Sequence, residues 1–243
     1  MDRIFEKHLK QKMRGLGFKT KGVLFFKPIN DNLIATVTFG TWSSPIPKHL
    51  QVNPTIGIGN LEVNRLRFQL LERDGDPCWS TTTAILSYLL KCDFSKWDFI
   101  RGEVNEPMMD ELLADVMKGG EMFWTKMSDS DNLLEYCKQH PEVAPILYYL
   151  RGEKEKGVQF MEDYVQRMSI PETDDEILKK SIPSVPKEKT IIVRPDEDGK
   201  TMTWDELKEY FKKVPPGGQL VFPRKVGVDS SYLTFMKNYL ELP

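Results

Sequence analysis

Apolar residues Phe5, Leu9, Met13 and Leu16 recur at helical spacing, while Arg3, Lys7, Lys10 and Arg14 form a separate stripe on the same period. This pattern predicts an amphipathic helix with one face packed and the other in water. Gly15 and Gly17 stop it, and two alternating runs follow: Leu24, Phe25 and Phe26, then Leu33, Ala35, Val37 and Phe39 interleaved with Ile34, Thr36 and Thr38. A period of two with β-branched filling predicts strands, and Asn30, Asp31 and Asn32 hinge them into a hairpin. A loop from Trp42 to Pro47 leads to a third strand carrying Val52, Ile56 and Ile58, whose Gly57 and Gly59 leave the other side bare to close approach.

Beyond this point helix dominates. Leu66, Phe68 and Leu70 alternate like a strand, so Leu61 to Leu71 is read as one, although Val63, Leu66 and Leu70 also suit a helix. Ser80 or Thr81 is expected to cap a helix through Ile85, Leu86, Leu89 and Leu90. A further helix carries Met109, Leu112, Leu113 and Val116 and is expected to stop at Gly119 and Gly120. Others hold Leu133, Leu134 and Cys137; then Val143, Ile146, Leu147 and Leu150 after Pro141; then Val158, Met161 and Val165. The pattern therefore predicts a first domain over residues 1–168.

Residues 169–189, with Pro171, Pro183 and Pro186 among many charges, read as a linker. Residues 190–243 read as a small C-terminal subdomain. Its expected elements are a strand Thr190 to Val193, a turn Asp196 to Gly199, a capping box Thr203 with Glu206 before Leu207, Tyr210 and Phe211, a strand Gln219 to Phe222 and a helix Ser230 to Leu240. Alone it sits near the size at which a core is marginal. The expected fold class is α+β: an antiparallel sheet of about four strands packed by helices, with a small C-terminal α/β appendage.

The order of these signals resembles the family described as domain of unknown function 4304, over residues 1 to about 140. The matching elements are Leu16, Gly17, Phe18 and Lys19, the strands Leu24 to Phe26 and Leu33 to Phe39, and Thr55 to Gly57. Phe123 and Trp124 with Ser128, Asp131, Leu133 and Leu134 resemble its later aromatic and helical segment. The resemblance implies a compact α+β domain and brings no catalytic residue with it. Small bacterial α+β domains of this general type act as binding or immunity-like proteins beside toxins, an analogy of fold and context.

Bulk composition excludes more than it assigns. With 34 basic and 36 acidic side chains the net charge is −2, so any charged interaction must be local. The strongest local feature is residues 1–27, with eight basic and two acidic side chains, hence +6. Phosphate contacts would use such a stripe, but a solvated helix face is its commoner fate, and nucleic acid is not the expected partner. Three cysteines without a CxxC pair fit reduced thiols in a cytoplasmic protein. Met1 to Lys12 lacks the apolar core of a signal peptide, and Ala84 to Leu90 is far shorter than a membrane span.

No reactive constellation stands out. His8, His49 and His140 are far apart, and neither a metal nor any other cofactor is expected. Cys137 and His140 share a helical side but lack an orienting carboxylate. Glu103, Glu106, Asp110, Glu111 and Asp115 gather in sequence without completing a catalytic motif. The expected role is a non-enzymatic protein-binding domain, with immunity to a partner toxin as one specific form. Its candidate contacts are Trp42, Gly57, Arg3, Lys7, Lys10 and Arg14, with Trp204 and Tyr210 as further aromatics in the tail. The alternative is a hydrolase or transferase whose cleft lies beside Gly57 and is lined by those carboxylates.

Overall fold

The computed structural model describes residues 3–44, 46–103, 105–171, 173–179, 187–192, 209, 212–216, 218–221 and 227–243. They fall into two units, Met1–Met161 with Ser231–Pro243, and Glu162–Ser230. The first begins with α1 (Arg3–Gly15), which buries Phe5, Leu9 and Met13. Gly17, at φ +86°, turns the chain back so that the Phe18 amide donates to the Met13 carbonyl. Only glycine adopts that conformation freely.

An antiparallel sheet follows, built from β1 (Lys19–Lys21), β2 (Leu24–Pro28), β3 (Leu33–Ser43), β4 (His49–Asn60), β5 (Thr82–Ile85) and β6 (Asp98–Ile100). The order is β1-β2-β3-β4-β5, with β6 also on β4. Asn30 sets the β2–β3 hinge, its Oδ1 accepting from the amides of Asn32 and Leu33. The long β3–β4 ribbon pairs Leu33 with Asn60 at one end and Ser43 with Leu50 at the other. Residues directly opposite share a face. One face therefore gathers Phe25, Val37, Phe39, Val52, Ile56, Ile58 and Phe99, all buried. Phe5 of α1 meets Phe99 edge-on at 4.9 Å.

Helices α2 (Leu61–Leu70), α3 (Leu86–Leu90), α4 (Glu106–Ser128), α5 (Ser130–Cys137), α6 (Ala144–Leu150) and the first half of α7 (Lys154–Ser169), as far as Met161, complete the body. The last helix of the chain, α9 (Ser230–Leu240), comes back to this unit. It buries Tyr232, Phe235 and Tyr239; Tyr239 donates to the Pro145 carbonyl at 2.8 Å, and Asn238 to the Leu70 carbonyl at 3.0 Å. In the second unit, α8 (Asp174–Leu178) buries Ile177, and β7 (Thr190–Ile192) runs parallel to β8 (Gln219–Val221). The Gly227 amide donates to the Met168 carbonyl at 2.7 Å, closing the base of this unit.

Several local expectations are corrected. Leu61–Leu70 is a helix because Asn60 caps it, its side chain accepting from the Val63 amide. The segment expected to open a helix at Ser80 or Thr81 first forms β5, since Thr82 and Thr83 pair with Ile58 and Gly57; helix begins only at Leu86. Gly119 and Gly120 do not end α4: they lie inside it, and a Cβ on Gly119 would run into Leu86 of α3. There glycine permits close helix packing rather than a stop. Trp42 is not in a loop but in β3, opposite Gln51. Pro141 precedes α6, which begins at Ala144 with Pro145 in its first turn.

Besides β5, two further strands, β1 and β6, lie where the sequence pattern predicts none, and the expected linker contains α8, capped reciprocally by Thr173 and Glu176. The last helix, expected in the C-terminal subdomain, belongs with the first unit. The turn at Asp196 to Gly199, the box of Thr203 and Glu206, Trp204, Leu207, Tyr210 and Phe211 lie outside the described residues.

Candidate functional site

The candidate aromatic Trp42, for which packing against the sheet is the commoner fate, lies at the far end of the β3–β4 ribbon. Trp42 is 46 % exposed, its ring lying over Gly40, where a Cβ would come within 2.5 Å of the ring, and edge-on to Phe94 at 5.1 Å. Gly40 therefore makes the bed on which the indole rests. Beneath, the Asn53 amide donates to Ser87 Oγ at 3.0 Å and to the Phe94 carbonyl at 3.5 Å, tying β4 to α3 and to the loop that carries Phe94. Ile46 and Ile100, both exposed, extend the apolar area around this end.

The same end brings together three residues, Ser44, His49 and Asp98, that no sequence motif links. Ser44 Oγ donates to Asp98 Oδ2 at 3.3 Å and accepts from the Ile46 amide at 3.2 Å, and His49 Nδ1 stands 3.2 Å from the same carboxylate oxygen. Register explains the meeting: His49 opposes Ile100 and Gln51 opposes Asp98, so His49 and Asp98 are diagonal neighbours on one face. The chemistry is that of a clasp. A nucleophilic serine needs its proton taken by the imidazole, whereas Ser44 gives its hydrogen bond to the carboxylate. Lys48, at φ +67°, makes the tight turn into β4, and its carbonyl accepts from the Arg101 amide at 2.8 Å. Trp42 is thus presented on a braced hairpin.

Gly57 is buried. Its carbonyl accepts from Trp124 Nε1 at 2.9 Å, and a Cβ there would come within 2.6 Å of Ser80 Oγ, which is bonded to Thr36 Oγ1 at 2.7 Å. The carboxylates expected beside it are elsewhere. Fourteen residues of α4 separate Asp110 from Trp124, about 21 Å along the helix axis at 1.5 Å per residue. Four of the five are held by lysines: Glu106 and Asp110 by Lys12 at 2.7 and 2.6 Å, with His8 also against Glu106, and Glu111 and Asp115 by Lys96 at 3.1 and 2.6 Å. The Lys12 ammonium, then His8, keeps the Glu106 carboxyl below its ordinary range, which leaves it a poor proton acceptor.

Cys137 is fully buried and desolvation pushes its thiol up to about 12, far from a thiolate nucleophile. His140 turns its Nε2 to Thr82 Oγ1 at 3.4 Å, and burial, then the nearby Arg67, lowers its affinity for a proton. Among the described residues no group of three His, Cys, Asp or Glu side chains could hold a metal ion, and no helix is long and apolar enough to cross a membrane.

The basic stripe is divided by the fold. Lys10 pairs with Glu6 at 2.6 Å, and Lys12 and His8 face α4, whereas Arg3, Lys7 and Arg14 are exposed and have no ion pair among the described residues. No family model, curated protein or solved structure matches the chain.

Proposed function

We propose that this chain is a non-enzymatic, cytoplasmic protein-binding domain of bacterial type, akin in fold to the domain of unknown function 4304 family, that engages a protein partner through the Trp42 end of its sheet. One observation carries this reading: a tryptophan 46 % exposed, lying over Gly40 and against Phe94 on a ribbon whose end is tied by the Ser44 to Asp98 hydrogen bond. Interfaces draw most of their energy from such rigid aromatic anchors, because little side-chain entropy remains to be lost on binding. An immunity-like pairing with a toxin is one specific form of it. The sheet edge contributes less, since β1 is three residues long and carries Lys19 and Lys21, which discourage strand addition.

The test is affinity capture from the native cell with the whole chain and with Trp42→Ser and Ile46→Ser variants, each shown to melt as the parent does. A protein held by the parent and lost from both variants is expected. Equal retention by all three, or turnover of a small molecule by the purified chain, overturns the proposal.

A further inference from the structure

We propose that the outer face of α1 is a second contact surface that takes an acidic helical segment of a protein partner. It builds on the protein-binding role but uses different residues on a different side. Phe5 packs on Phe99, which opposes Leu50, while Trp42 opposes Gln51. Adjacent residues of a strand point to opposite faces, so α1 and Trp42 lie on opposite sides of the sheet.

The fold sorts the cations of this helix. Lys12, turned toward α4 with His8 beside it, meets Glu106 and Asp110, and Lys10 is spent on Glu6. Arg3, Lys7 and Arg14 remain, all exposed and without an ion pair among the described residues. Their spacing of four and seven residues keeps them on one stripe about 16 Å long. Lys19, exposed on β1 just beyond the helix, continues the positive character. A carboxylate series at the same spacing on a partner helix would match it charge for charge.

The rest of the molecule argues for a polypeptide rather than a nucleic acid. Net charge is −2, so bulk electrostatics gives a long polyanion no general attraction, and three cations on about 16 Å of helix match a short segment of three or four turns. Rim charges of this kind act mainly on association rate and partner choice, and salt weakens them.

The probe is a labelled helical peptide bearing glutamates at the spacing of Arg3, Lys7 and Arg14, titrated with the whole chain by fluorescence anisotropy at about 20 and 200 mM salt. The expected result is binding at low salt that weakens at high salt and falls about tenfold in R3Q/K7Q/R14Q. The control K91Q/K126Q/K237Q, which removes the same charge from other exposed positions, should retain it, as should Trp42→Ser. Equal loss in both triple variants would reduce the effect to net charge and overturn the proposal. So would absence of binding at low salt, or a short DNA duplex binding more tightly than the peptide through the same three residues. Failure of the Trp42 reading leaves this outcome untouched, because the peptide assay does not depend on that end of the sheet.

Discussion

Substituting Gly157 by alanine separates two opposed forces. In the interior of α7 alanine should stabilise by about 1 kcal/mol, since glycine pays more backbone entropy on entering a helix. Here a Cβ would collide with the hydroxyl of Tyr239, come within 2.8 Å of its Cζ and sit 3.1 Å from the Pro145 carbonyl. Tyr239 is wholly buried and donates to that carbonyl at 2.8 Å, so the ring must move and the bond must break. Leaving the buried Tyr239 hydroxyl without its acceptor costs about 1–3 kcal/mol, and overpacking costs about as much again. The contact outweighs the propensity, and Gly157→Ala should destabilise by roughly 2–3 kcal/mol. Urea unfolding followed by near-ultraviolet circular dichroism should show a lower midpoint with an unchanged slope. Adding Tyr239→Phe removes the colliding oxygen, so the double variant should lose less than the sum of the singles, by about 0.5 kcal/mol or more. If Gly157→Ala is as stable as the parent, α9 does not pack on α7 as described.

Asn60→Ala removes the cap of α2 and should cost about 1 kcal/mol, read from the same denaturation curve; Asn60→Asp should restore most of it. His140 binds its proton less readily when folded, through burial and then Arg67, so the unfolded chain takes up a proton first as pH falls. Its contribution to stability is present above about pH 6.5 and is lost as pH drops toward the folded-state value, and His140→Gln should flatten this slope between about pH 7 and 5. Cys137, its thiol up at about 12, should resist alkylation in the native protein at pH 8 and react in urea, which peptide mass analysis reads directly; native labelling would mean the α5 corner opens.

The legible parts of this protein were those where a local rule and the tertiary context agree. The period of Phe5, Leu9 and Met13 records burial directly, while the β-branched run from Leu33 to Phe39 and the asparagine hinge before it record a strand and a turn, and the structure keeps all three. Glycine misled where its role was packing: Gly119 lets α3 approach α4, and nothing in the adjacent residues announces that. Leu61–Leu70 was open to two periods, and the deciding residue was the one before it, Asn60.

The candidate site divides in the same way. An aromatic at Trp42 and cations at Arg3, Lys7 and Arg14 are visible along the chain, because residue type alone makes them candidates. Which of them remain available depended on contacts between segments far apart in sequence. Asp98 reaches His49 and Ser44 only through strand register, Glu106 and Asp110 consume Lys12 across 94 and 98 residues, and Gly57 is sealed by Ser80. Periodicity reports which side of an element is dry, a property of neighbouring residues. Which polar groups stay unpaired is a property of the packed whole, since charges and hydrogen bonds are satisfied by whatever the fold brings within about 3 Å.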